Sequence, residues 1–146
     1  MLSETNKTVS RRFFDEVWNE GKLALLNEII AKDHINSGPG TLPGLPAGPE
    51  GTKQLVTVYR NAFPDVHFTI DDQIAEGDKV VTRWTAHGTH QGELVGISAT
   101  GKSSTVTGIV VDRFTNGKIA ESWGIFDQFG MMQQLGVIPT PELAAK

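Results

Sequence analysis

Apolar positions recur every three or four residues in the first half of the chain, and this spacing predicts three amphipathic helices. In the first segment Val9, Phe13 and Val17 mark one stripe, which Phe14 and Trp18 widen. A stripe of this kind packs against a core, although Phe14 or Trp18 could instead line a cavity. The three helices are predicted over residues 4–19, 22–31 and 50–63.

A stretch rich in proline and glycine, residues 38–49, separates the second and third helices. Its composition excludes a helix or a central strand. A long irregular loop inside a compact domain is often a lid over a ligand, and Leu42 and Leu45 could give this one an apolar underside. A variable surface loop fits the composition equally well, so both interpretations stay open.

Alternation of apolar and polar residues replaces the helical spacing after residue 63 and predicts strands. Helices followed by an antiparallel sheet are typical of the α+β class. Gly88, Gly108 and Gly124 lie inside the predicted strands and favour strong curvature. We therefore expect one domain over residues 1–146, with three N-terminal helices on a strongly curved, mostly antiparallel sheet whose concave side suits a small molecule. The strands are predicted over 66–76, 79–91, 94–96 and, as a hairpin, 105–128, before a closing helix over 129–135.

The Asn116-Gly117 pair at the centre of that hairpin is the strongest local signal in the chain. Both residue types tolerate the positive φ angles of a two-residue turn. Continuing the pairing outward from this turn places Asp112 opposite Glu121, which is unfavourable for like charges. Solvent exposure, or Arg113 and Lys118 nearby, could relieve the repulsion. A shared proton or a bound cation in a cavity is the alternative.

The composition narrows the classes of function. The formal net charge is −4 and no cluster of basic residues occurs, which argues against a nucleic-acid partner. No apolar run approaches the roughly 20 residues of a membrane helix, and the N-terminus lacks the apolar core of a signal peptide, so we expect a cytoplasmic protein without membrane contact. The chain has no cysteine, its 4 histidines lack zinc-site spacing, and no phosphate-binding loop occurs, so we expect neither a metal site nor a bound nucleotide.

Several motifs stand in a characteristic order along the chain. They are residues 12–19, 48–51, 62–65, 76–84, the run Gly88-Thr89-His90-Gln91-Gly92-Glu93 with 96–97 and 100–102, and 127–136. Their order and spacing resemble those of the SnoaL-like polyketide cyclases, within the NTF2-like superfamily. The resemblance implies a cone-shaped α+β barrel, a homo-oligomer (dimer or tetramer), and a cofactor-independent cyclase. It also implies that one aspartate, Asp127 here, is the general acid/base of an intramolecular aldol ring closure.

Asp127 has the most apolar neighbourhood of the acidic residues, with Ile125, Phe126 and Phe129 close in sequence and Val106 opposite in the predicted hairpin. A carboxyl group in an apolar pocket holds its proton more tightly, as an acid/base at neutral pH requires. Asp127 also precedes the closing helix, where it could cap free N–H groups. The two roles conflict, because a cap favours the ionised form.

Two functions are consistent with the sequence. The first is an enzyme acting on a hydrophobic carbonyl compound, a cyclase or related isomerase, and a lid-like loop favours it. The second is a non-catalytic domain that binds a small ligand or a second subunit, and the apolar Ile109 and Val111 on the penultimate strand favour it. Oxyanion donors could come from Asn36, His90, Gln128 or an indole N–H. The candidate pocket residues are Phe14, Trp18, Asn36, Tyr59, Phe63, Trp84, His90, Glu121, Trp123 and Met132.

Overall fold

Helices cover one face of a curved sheet in the computed structural model, which describes residues 2–139. Helix α1 continues into a wider π-helical segment, and a 3-10 turn precedes the short α2. The helices are α1 (Leu2–Arg12, continued by Phe13–Trp18), α2 (Leu26–Ile29, preceded by Leu23–Leu25), α3 (Pro49–Ala62) and α4 (Gln128–Gln134). The strands are β1 (Ile30–Ser37), β2 (His67–Glu76), β3 (Lys79–Thr89), β4 (Ser103–Thr115) and β5 (Lys118–Phe126).

The strands form one sheet in the order β1-β5-β4-β3-β2, in which only the β1–β5 pair is parallel. Along β4 the buried residues alternate with exposed ones, as expected for a strand with one covered face. Side chains of α1, its π-helical continuation and α3 pack with this inner face in a single apolar core. The predicted α+β class and the mostly antiparallel curved sheet are confirmed.

Strand β1 was not predicted, because its pattern is the inverse of an ordinary half-buried strand. His34 is completely buried and Asn36 also lies on the inner side, whereas the apolar Ile35 is 57% exposed. The predicted loop over residues 32–37 is therefore wrong, as is the predicted helix at residues 30–31. The predicted strand at 94–96 reduces to a single bridge between Leu94 and Ile97.

The hairpin turn agrees with the prediction. Asn116 and Gly117 have φ angles of 52° and 79°, and Phe114 pairs with Ile119 across the turn. Both positive angles suit a two-residue turn whose twist matches the strands. This turn fixes the start of the β4–β5 pairing.

A bulge one residue further along changes the rest of the register. Ala120 is the extra residue, so that Asp112 lies opposite Ser122 and Arg113 lies opposite Glu121. The predicted Asp112–Glu121 pairing is wrong, because one inserted residue exchanges the inner and outer faces of β5 beyond it. Glu121 instead forms an ion pair with Arg113, with 3.4 Å between Oε1 and Nε.

The outer face of the sheet carries three partly exposed apolar side chains. Ile109, Trp123 and Ile125 are 39%, 43% and 42% exposed. Trp123 therefore lies on the side away from the core, and its predicted position in the pocket is wrong. The homo-oligomer and the cytoplasmic location stay predictions. Within residues 2–139, no helix has the length and hydropathy needed to cross a bilayer.

Candidate functional site

An open cavity lies between the helices and the inner face of the sheet. The space between the surrounding atoms, counted together with the solvent in its open mouth, is about 1000 Å³. Its rings pack edge-on or tilted against one another, for example Trp18 on Phe68 with 4.6 Å between centroids, which keeps the walls rigid. The lining residues with phenyl, phenol or indole rings are Phe13, Phe14, Trp18, Tyr59, Phe63, Phe68, Trp84 and Phe126.

The polar residues of the lining come mainly from β1, β5, the following loop and the start of α3. They are the amide or hydroxyl residues Asn36, Ser37, Thr41, Thr52, Ser104 and Ser122, together with the imidazole residue His87 of β3. Among the described residues, no carboxylate, ammonium or guanidinium group lines the cavity, and no three His, Asp or Glu side chains converge on a metal position. Any Asp, Glu, Lys or Arg side chain that takes part in chemistry must therefore act from behind this lining.

Asn36 presents an unpaired hydrogen-bond donor. Its Nδ2 atom is buried and has no hydrogen-bond partner among the described residues. Gly51 lies beside it, and a Cβ there would be in ordinary contact with Nδ2 at 3.6 Å but only 2.0 Å from the carbonyl oxygen of Pro46. A buried donor without a partner costs about 1–3 kcal/mol, so a ligand oxygen placed here would recover that energy.

Behind the cavity wall a chain of hydrogen bonds runs through the inner faces of β4, β5 and β1. The Ser122 hydroxyl donates to Oδ1 of Asp112 at 2.8 Å, and Ser10 donates to Oδ2 at 2.9 Å. Nε2 of His34 lies 2.9 Å from Oγ of Ser122, and its Nδ1 lies 3.5 Å from Oγ1 of Thr52. Ser122 is therefore the member of this network that links the buried acid to the cavity.

Burial shifts both ionisable members of the network toward their neutral forms. Desolvation raises the pKa of Asp112 from 3.8 to about 6, although the hydrogen bonds from Ser122 and Ser10 lower it in part. Desolvation lowers the pKa of His34 from 6.5 to about 4, against the opposing attraction of Glu121 and Asp33. At neutral pH Asp112 is ionised and His34 is an uncharged hydrogen-bond donor.

Asp127 lies outside the cavity, at the N-terminus of α4. Its Oδ1 atom accepts a hydrogen bond from the backbone N–H of Gly130 at 2.9 Å, which is the geometry of an N-cap. The side chain is exposed, so its predicted placement in an apolar hollow is wrong and the helix-cap alternative is confirmed. The bulge explains the error, because it turns Phe126 rather than Asp127 toward the cavity.

The other predicted pocket residues divide into two groups. The structure brings six of them together in the lining: Phe14, Trp18, Asn36, Tyr59, Phe63 and Trp84. Burial raises the pKa of the Tyr59 hydroxyl, and a hydrogen bond with Gln128 opposes the rise. Glu121 lies on the outer face beside Arg113, and Met132 packs against the core while its neighbour Met131 lines the cavity. The predicted pocket positions of Glu121 and Met132 are therefore wrong.

His90 is buried one layer outside the cavity, contrary to its predicted place in the lining. Its ring stacks on Phe63 with 5.4 Å between centroids, and its Nδ1 accepts the N–H of Thr100 at 3.2 Å. Nε2 is buried without a hydrogen-bond partner among residues 2–139. His90 supports the wall that Phe63 forms.

Sequence reasoning did not identify Ser122, Thr52 or His34 as part of the site. Ser122 was missed because the predicted register placed it on the face of the hairpin opposite to Asp112. His34 and Thr52 carried no motif, although a histidine and an asparagine two residues apart on one strand would share a face. That period-2 spacing of polar residues was the available signal.

Comparison with known proteins identifies the family. Residues 8–135 match the family model of the SnoaL-like polyketide cyclases. The chain is 34% identical over 131 residues to the aklanonic acid methyl ester cyclase DnrD of Streptomyces peucetius, covering 87% of this chain and 89% of that protein. It is also 34% identical over 131 residues to the cyclase of the same description, DauD, of Streptomyces sp. strain C5, covering 87% and 80%.

A solved structure shows the same fold. TsrD from Streptomyces laurentii superposes with a TM-score of 0.83 at 27% identity, covering 92% of this chain and 97% of that one. The curved sheet and covering helices described above are thus shared with proteins of this type. The chain belongs to the SnoaL-like polyketide cyclase family.

Proposed function

We propose that this protein is a cofactor-independent enzyme that closes a ring in a hydrophobic carbonyl compound by an intramolecular aldol reaction. Family membership supports this reaction type, as do two relatives named as cyclases of aklanonic acid methyl ester. The observation that carries the proposal is the unpaired amide donor of Asn36, a residue of the lining of a largely aromatic cavity. Asn36 is also the register partner of Ser122 on the adjacent strand, so two hydrogen-bonding groups meet at one point.

The reaction needs a base, an oxyanion site and a folded substrate. A proton leaves the carbon next to one carbonyl group, the carbanion attacks a second carbonyl carbon, and the resulting alkoxide takes up a proton. No atom is gained or lost overall. The Asn36 N–H would stabilise the negative oxygen, and removal of one such donor typically costs about 10²–10³ in rate.

The aromatic walls would supply the positioning. A flat polyketide lying against Trp18, Phe68 and Trp84 would be held in one folded conformation, so that its reacting carbons stay close together. Burial of its apolar surface would provide the binding energy.

Aklanonic acid methyl ester is the probe that the named relatives suggest. Wild-type protein should convert it to a product of unchanged mass and different chromatographic retention. Asn36→Ala should lower kcat by about 10²–10³. Asn27→Ala, which removes an exposed asparagine of α2, is the matched control and should retain the wild-type rate. An Asn36→Ala variant as fast as Asn27→Ala would refute the oxyanion role.

A binding protein without catalysis is the second candidate, and one observation favours it. In the part of the chain that the structure describes, no Asp, Glu, Lys or Arg residue lines the cavity. Quenching of the fluorescence of Trp18 and Trp84, which line it, would report binding in either case. Saturable binding of the ester without conversion under all conditions would favour this second function.

A further inference from the structure

Ser122 lies in the lining and donates a hydrogen bond to the buried carboxylate of Asp112, whose other hydrogen bond comes from Ser10, outside the lining. We infer that Asp112 stores the catalytic proton and that Ser122 passes it to and from the ligand. This inference rests on the proposed function, because it names the base that the ring closure requires. Ser122 would be the catalytic residue, and Asp112 would act through it.

The hydrogen bonds of Ser122 leave one position free. A serine hydroxyl has one hydrogen to donate and two lone pairs to accept with. Its hydrogen goes to Asp112, and one lone pair accepts the Nε2–H of His34. The remaining lone pair is available to the cavity that Ser122 lines. Ser122 therefore presents an acceptor to the ligand while Asp112 is ionised.

The hydrogen bond from Ser122 determines which oxygen of Asp112 receives the proton. Ser122 donates to Oδ1, so a proton that moves along this bond arrives at Oδ1, while Ser10 still donates to Oδ2. Protonated Oδ1 would then donate to Oγ of Ser122. Because His34 still donates to the same oxygen, the Ser122 hydrogen must turn toward the cavity. Protonation of Asp112 thus converts Ser122 from an acceptor into a donor.

The proton steps balance. In the first step the C–H bond next to the ligand carbonyl breaks and its proton binds to Oγ of Ser122, while the Ser122 hydrogen moves to Oδ1 of Asp112. The electron pair stays on the ligand as an enolate. After ring closure the Asp112 proton returns to Ser122, and the Ser122 hydrogen moves to the product alkoxide. No redox partner is needed, and Asp112 ends ionised as it began.

Few charges surround the network. Toward Asp112, α1 presents Ser10, β5 presents Ser122 and β3 presents Val80, all uncharged. His34 is the other titratable member of the network, and the negative charges of Glu121 and Asp33 act to raise its pKa. Since His34 has a pKa of about 4 and Asp112 of about 6, a change in rate near pH 6 would distinguish Asp112 from His34, and its retention in a His87→Gln variant would exclude His87, which also lines the cavity.

Turnover of aklanonic acid methyl ester by four variants tests the transfer. Ser122→Ala and Asp112→Asn should each lose at least about 100-fold in kcat, the usual contribution of a positioned acid or base, while fluorescence quenching shows retained affinity. The wild-type kcat should fall as the pH drops below about 6. Ser122→Thr keeps a hydroxyl and should recover both the rate and this pH profile. Ser103→Ala, on the exposed side of β4, is the control and should resemble wild type. Ser122→Ala and Asp112→Asn variants with wild-type kcat would overturn the inference.

Deuterium exchange separates the inference from the proposed function. In D2O, wild-type protein should speed the incorporation of deuterium next to the carbonyl of the bound ester above the rate without protein, and Ser122→Ala should not. Exchange without ring closure would sustain the proton transfer and refute the cyclase. Ring closure or exchange that persists in Ser122→Ala would overturn the transfer alone. Binding with neither exchange nor ring closure in the wild type would overturn both.

Discussion

The buried Asp112 and His34 should have opposite effects on stability in the same pH range. The pKa of Asp112 is about 6 in the folded state, against the ordinary value of 3.8 that applies to the unfolded chain. Between these values the folded state holds a proton that the unfolded state releases, so stability falls as the pH rises from about 4 to about 6. The pKa of His34 is about 4 in the folded state, against the ordinary value of 6.5 that applies to the unfolded chain. Over that interval the unfolded state binds the extra proton, so stability rises with pH.

The two contributions are nearly equal. One pKa unit corresponds to about 1.4 kcal/mol, so the roughly two-unit shifts of Asp112 and His34 are each worth about 3 kcal/mol. In the wild type they offset each other, and the network adds little slope between pH 4 and 6. Asp112→Asn should remove the contribution of Asp112, which falls with pH. Its free energy of unfolding minus that of wild type should therefore increase by about 3 kcal/mol as the pH rises from about 4 to about 6. His34→Gln, which keeps an N–H near Nε2, should change in the opposite sense.

Urea unfolding followed by tryptophan fluorescence at half-unit steps from pH 4 to 7.5 measures both effects. Plotting each variant as a difference from wild type cancels the titration of all other groups. Ser103→Ala should give a flat difference, since it removes only an exposed hydroxyl. If the difference in free energy of unfolding between Asp112→Asn and wild type is also independent of pH, folded Asp112 does not hold a proton in this range and the assignment is refuted.

Three further substitutions test the α4 cap and the packing around two glycines of the sheet. Asp127→Ala should cost about 0.5–2 kcal/mol in the free energy of unfolding by removing the α4 cap, whereas Asp127→Asn should retain most of it. Gly108→Ala would place a Cβ 2.3 Å from Cζ2 of Trp84, so it should destabilise by about 1–3 kcal/mol in urea unfolding and weaken fluorescence-detected binding. Gly124→Ala meets nothing closer than 3.9 Å and should change the free energy of unfolding by less than about 1 kcal/mol in the same assay.

Local signals predicted most of the fold. The stripe of Val9, Phe13 and Val17 and the Asn116-Gly117 turn depend on contacts within a few residues, and both were interpreted correctly. Six of the candidate pocket residues also lie in the lining. Large aromatic side chains on inward faces lead to a cavity in this fold even when the exact register is unknown.

The errors arise where the chain departs from regular patterns to build the site. β1 turns His34 and Asn36 inward, so its burial pattern does not resemble an amphipathic strand. The bulge at Ala120 has no sequence signal of its own, yet it exchanges the faces of β5 and brings Ser122 to Asp112. Asp127 was chosen from its apolar neighbours in sequence, and that criterion fails once the face is reversed.

The proton for ring closure should come from Asp112 through Ser122 and not from Asp127. Turnover of aklanonic acid methyl ester by Asp112→Asn and Asp127→Asn, measured side by side, tests this most directly. Asp127→Asn should keep the wild-type kcat, and Asp112→Asn should lose at least about 100-fold. Loss of turnover in Asp127→Asn with full turnover in Asp112→Asn would contradict the account.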